Sequence, residues 1–181
     1  MVIDPEVDQA TRDLLGYAIS GDEEGFASSL EATGDERFLH CLSLCVRVAG
    51  YIAIDACSSQ WPAEADVRKV AQRITGMPDL DFGVSEADSF AFLSRCALGF
   101  EPLSNVFPDR GKLGSIPLFA TATLLTAYRS QGRQWHEYLT MIERAFDLVA
   151  PLPEEAVPAL LLQGRRHRAL KVTDPGRPGV Q

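Results

Sequence analysis

The sequence predicts an all-α protein, a single-domain array or bundle of about seven to eight helices around a central apolar helix at about 36–58. Three observations lead there. Apolar residues recur at spacings of three and four through nearly the whole chain, and no strand-like alternation persists anywhere. Glycine and proline punctuate the pattern at helix-length intervals. Finally, fifteen of the 20 residues from Phe38 to Cys57 are apolar, as expected of a helix at the centre of a fold.

Asp4-Pro5 supplies a cap and a first-turn proline, and Val7, Thr11, Leu14, Leu15 and Ala18 follow at helical spacing up to Gly21. A short second helix is expected from Asp22 to Ala32, with acids in its first turn and Phe26 and Leu30 turned inward. Gly34 ends it, and Asp35 is the expected cap of the long third helix. Trp61-Pro62 marks the next boundary. Val67, Val70, Ala71 and Ile74 then form one apolar face, closed by Gly76 and Pro78.

Residues 77–84 read as a loop. Ser85 with Asp88 approximates a capping box, and Phe90, Leu93, Ala97 and Leu98 form the expected buried stripe of the next helix. Gly99, Pro102, Pro108, Gly111 and Gly114 mark 99–115 as the longest irregular stretch, and Ser115 and Pro117 as the start of an apolar helix through Tyr128. After Gly132, the residues Trp135, Tyr138, Leu139, Ile142, Ala145, Phe146 and Val149 repeat with a period near 3.5. A last apolar piece spans Ala156 to Leu162. The globular domain is expected to cover 1–163, and 164–181 to be a basic, disordered tail.

Composition narrows the function classes. The net charge is -8, from 17 basic and 25 acidic residues. That sign opposes binding of nucleic acid or an anionic membrane by the body of the protein. The tail is the exception: Arg165, Arg166, Arg168, Lys171 and Arg177 against Asp174 give it a balance of +4, leaving -12 for the rest. Cys41, Cys45, Cys57 and Cys96 all fall in apolar helical segments, and the N-terminus shows no signal-peptide pattern. Reduced, buried thiols in a cytoplasmic protein are the expectation. The 38–57 run reaches the length of a membrane span, but Arg47 and Asp55 inside it favour a buried helix of a soluble protein.

Two groups of residues stand out as candidate sites. On the third helix, His40, Ser43, Arg47, Tyr51 and Asp55 share about 120° of arc. One reading of that face is a ligand pocket against the 99–115 loop, with Arg47 for an anion and His40 or Asp55 for proton transfer, and Tyr51 in the lining. The other is an exposed or interface edge with Arg47 extended along it. The second group is Arg110, Lys112 and Ser115, which with two glycines precede an expected helix start, where amides and dipole favour an anion. It is no Walker motif, because neither Ser nor Thr follows the Gly-Lys pair.

The thiols lack zinc-site spacing, and the acids at 79–90 lack a calcium loop's sixth-position glycine and twelfth-position glutamate, so no metal and no cofactor is expected. No nucleophile or dinucleotide signature is present. The functional expectation is a cytoplasmic interaction or regulatory protein without catalytic activity, acting on a protein partner or as a homodimer. The alternative is a helical domain that binds or transforms a small molecule. A third reading is an inhibitor that meets a basic target through the acidic body.

Overall fold

The computed structural model describes residues 4–57, 61–76, 83–129 and 134–148, without the side chains of 146–148. Residues Val2–Arg144 form one compact unit. The second unit, Met1 with Ala145–Gln181, contributes only the end of the last helix to the described residues. The expected helix at 156–162 and the basic tail at 164–181 therefore lie outside them.

The protein is all-α, with eight helices and no strand among the described residues. In order these are α1 (Pro5–Ser20), α2 (Glu23–Thr33), α3 (Asp35–Ala56), α4 (Glu64–Thr75), α5 (Glu86–Ala91), α6 (Leu103–Val106), α7 (Arg110–Tyr128) and α8 (Trp135–Leu148). α5 runs straight into a π-helical segment, Phe92–Ala97. α1 and α2 form a hairpin, and α3 packs against α1, α7 and the π segment.

Most termini follow their local chemistry. The Asp4 side chain accepts the amide of Glu6, Asp22 that of Gly25, and Ser85 that of Asp88, so each satisfies an amide that lacks an intrahelical partner. Gly21 ends α1 with φ 71°, a left-handed turn that glycine adopts without steric penalty. At α3 the cap differs from expectation. Gly34 holds that position with φ 72° and no side-chain bond, and Asp35 is the first helical residue. There its carboxylate still faces the positive end of the helix dipole.

α7 departs most from the sequence reading. It begins at Arg110, because the Asp109 side chain accepts the Lys112 amide and the Asp109 carbonyl accepts that of Leu113. Pro117 consequently sits inside the helix. With α6, this leaves only short irregular pieces in the 99–115 stretch. Helical capping by an aspartate outweighed the two glycines that suggested a loop and the proline that suggested a later start.

The core is shared by α3 and α7. α3 buries Cys41, Leu42, Leu44, Cys45, Val48, Ala49, Gly50, Ile52 and Ala53. α7 buries every residue from Ile116 to Leu125 except Phe119, so it is enclosed all round rather than striped. Its threonines resolve the polar conflict locally. The Thr121 hydroxyl lies 2.6 Å from the Pro117 carbonyl and 3.1 Å from that of Cys45 on α3, and Thr123 donates to the Phe119 carbonyl. Phe26 of α2 stacks on Phe119 with centroids 5.6 Å apart, whereas Leu30, expected inward, is exposed.

The closest backbone approach is between α3 and the π segment. A β-carbon at Gly50 would stand 2.7 Å from the Ala97 carbonyl oxygen, so only glycine fits. The extra residue of the π turn also shifts the buried stripe. Ser89, Phe92, Leu93, Cys96, Ala97 and Leu98 are buried, while Phe90 is half-buried beneath the Arg68 guanidinium, 4.5 Å from its ring centre.

α3 is the one helix among the described residues long and apolar enough to cross a membrane. Half of its apolar window is buried inside the protein.

Candidate functional site

The polar face of α3 exists as the periodicity predicts, and most of it faces outward. His40, Ser43, Arg47 and Asp55 are exposed and Tyr51 is half-buried. Asp55 accepts a 3.3 Å hydrogen bond from the hydroxyl of Tyr138, a fully buried ring on α8. Burial and the neighbouring Asp55 carboxylate hold the Tyr138 phenol well above its ordinary range, so it stays a neutral donor. Asp55 thus joins α8 to α3. Leu39, next to His40, is 57 % exposed and gives this stretch of α3 an apolar component.

At the start of α7, Lys112 meets acids of the protein itself. Asp109 already occupies the first-turn amide of Lys112. The Lys112 ammonium lies 3.0 Å from Asp88, which also takes the Ser85 hydroxyl at 2.8 Å. Burial opposes ionisation of Asp88, but these donors outweigh it and hold its carboxyl below the usual range. Arg110 is exposed on the first turn, and Ser115 lies well inside the helix rather than at its start. Of the three, Lys112 has the structural partner, bridging α7 to α5 through Asp88.

The cysteines are free thiols. Burial pushes Cys45 up to about 12 and Cys96 up to about 11, and it raises Cys41 as well. Such thiols are protonated and unreactive at neutral pH. Among the described residues, no three His, Cys, Asp or Glu side chains gather as a metal site.

Three features escaped the sequence reading. The first is a charge division. Residues 4–36 carry ten acids, Asp4, Glu6, Asp8, Asp13, Asp22, Glu23, Glu24, Glu31, Asp35 and Glu36, against Arg12 alone, a balance of -9 that exceeds the chain's -8. All but the half-exposed Asp8 are exposed, and Arg12 is itself paired with Asp8 and Glu143. A running charge sum along the sequence reveals this, whereas separating only the basic tail did not.

The second is Phe100, the one non-glycine residue among those described with a positive φ, 57°. A side chain in this region costs about 1 kcal/mol or more. Its backbone is fixed by Phe100 N to the Cys96 carbonyl at 3.1 Å and Glu101 N to the Arg95 carbonyl at 2.8 Å. Arg95 grips Glu101 through two bonds, at 2.9 and 2.6 Å. No pattern in the sequence announces a left-handed phenylalanine, because glycine is the usual occupant of such a helix end.

The third is a hollow of about 540 Å³ over the outer side of α8, lined by His136, Glu137, Thr140, Met141 and Arg144. None of the residues predicted as sites lines it. No family model matches the chain, and comparison with curated proteins and with solved structures finds no match.

Proposed function

We propose that this chain is a non-catalytic interaction or regulatory protein, and that its α1–α2 face receives a basic protein partner. The observation that carries the reading is the division of charge. A balance of -9 sits in residues 4–36, while residues 37–181, with 15 acids and 16 bases, sum to +1. Such a one-signed stretch, which only Arg12 within it and Arg37 beside it temper, steers an oppositely charged protein and rejects acidic ones. The α1–α2 hairpin supplies a rigid platform for it, since Asp4 and Asp22 spend their carboxylates on caps while Glu24 and Glu31 stay exposed.

The experiment is capture from the native host with the full chain, followed by the same capture with Glu24→Gln, Glu31→Gln and Glu36→Gln combined. The reading expects a partner of high isoelectric point, released by a few hundred millimolar salt and weakened by the triple variant. A partner that is neutral or acidic, or one retained equally by the variant, overturns it. So does a strictly monomeric protein with which nothing co-purifies.

A further inference from the structure

The turn after the π segment holds one aromatic ring outside the fold. Phe100 is 64 % exposed and lies in the left-handed region, where a β-carbon is disfavoured. Two backbone bonds and the twofold Arg95–Glu101 grip keep it there. Glycine would make the same backbone bonds without strain and without a wet ring. Neither property of Phe100 therefore serves the monomer. A large aromatic side chain on a fixed backbone is what anchors a protein interface, because little conformational freedom is lost when it docks.

We infer that Phe100 anchors a two-fold self-association, its partner being a second copy of this chain. Charge selects that occupant. A two-fold interface must be self-complementary, since the same patch meets itself. Beside Phe100 the charges are one cation and one anion, Arg95 and Glu101, whose side chains are 49 % and 34 % exposed. Set against its own copy, such a pair places guanidinium opposite carboxylate. The acidic face of residues 4–36 does the opposite, because two copies meeting there would repel. The inference does not rest on the basic partner proposed above.

The test is sedimentation of the full chain over a wide concentration range, with Phe100→Gly and with the exchange Arg95→Glu/Glu101→Arg. The wild type should dimerise with concentration, and Phe100→Gly should weaken dimerisation at least roughly tenfold. The exchange keeps a self-complementary pair and should still dimerise. Thermal melting at a dilution where both proteins are monomeric separates anchoring from folding: Phe100→Gly should melt no lower than the wild type, and higher if the strain is released. A wild type that stays monomeric at high concentration overturns the inference. So does a glycine variant that associates equally well, an exchange variant that stays monomeric, or a glycine variant that melts lower.

Discussion

The seam between α3 and the π segment and the hairpin of α1 and α2 use the same residue type to opposite effect. Both contain a glycine with no room for a β-carbon. At Gly50 the obstacle is the Ala97 carbonyl oxygen at 2.7 Å, a backbone atom held by helical bonds. At Gly25 the obstacles are the Tyr17 ring at 2.5 Å and the Asp22 carboxylate at 2.7 Å, both side chains at the protein's edge. The seam is apolar, with Cys96, Ala97, Ala49 and Ala53 all buried. The hairpin carries the charge. One region fixes the fold and tolerates nothing, whereas the other can change its surface at little cost and so is available for recognition.

The largest effect that can break this comparison is Gly50→Ala. Alanine favours a helix interior over glycine by about 1 kcal/mol, so an unobstructed site would gain stability. At Gly50 the clash should reverse the sign, with a net loss of about 2 kcal/mol in urea unfolding. Gly25→Ala should lose no more than about 1 kcal/mol, because Tyr17 can turn aside and the most then at risk is the Asp22 cap. Equal losses at both positions would remove the distinction between seam and hairpin.

Arg12→Ala should come next. Arg12 joins the hairpin to α8 by pairing with Asp8 at 2.9 Å and with Glu143, whose side chain is only 10 % exposed. The guanidinium also reaches the His136 carbonyl at 3.5 Å. Removing it takes the guanidinium away from a largely buried carboxylate, at about 2 kcal/mol after allowance for the partial exposure of Arg12. Adding Glu143→Gln to Arg12→Ala should recover part of that loss, because the amide carries no charge to desolvate. If the double variant is no more stable than Arg12→Ala, the loss came from packing by the arginine stem.

A third substitution sharpens the comparison inside the hairpin. Asp22→Ala should cost about 1 kcal/mol, since the Asp22 carboxylate caps α2 through the Gly25 amide at 2.9 Å. Glu24→Gln and Glu31→Gln should leave the melting temperature within about a degree, as expected of exposed surface groups. Acids of one type thus divide into those that build the hairpin and those that only charge it.

How much of this the sequence announces depends on whether the cause is local. The all-α class, the α1 cap at Asp4, the α4 face of Val67, Val70, Ala71 and Ile74, and the Ser85 cap follow from neighbours within one or two turns. The start of α7 was hidden because Gly111 and Gly114 argue for a loop and Pro117 for a first turn, and only the Asp109 cap with enclosure on all sides overrides them. The π turn and the Gly50–Ala97 contact were hidden for a different reason. The contact joins residues nearly fifty positions apart, and no local pattern marks the π turn. Of the candidate residues, periodicity placed His40, Arg47 and Asp55 correctly on one exposed side, but it could not reveal that Asp55 holds Tyr138.

The smallest perturbation reports on the seam without altering it. A thiol reagent in slight excess at neutral pH should modify Cys57 first, because it is the half-exposed thiol of the four. Cys45, at about 12, and Cys96, at about 11, are protonated as well as buried, so they react only when the core opens. Their labelling rates then measure the opening free energy at α3 and the π segment. Gly50→Ala, at about 2 kcal/mol, should speed labelling of Cys45 and Cys96 roughly thirtyfold. The same variant should leave Cys57 nearly unchanged, because that thiol needs no opening of the core to be reached. Acceleration at Cys57 by the same factor would mean that the seam and its surroundings open together, and the molecule would then have one cooperative core rather than a rigid seam beside a permissive edge.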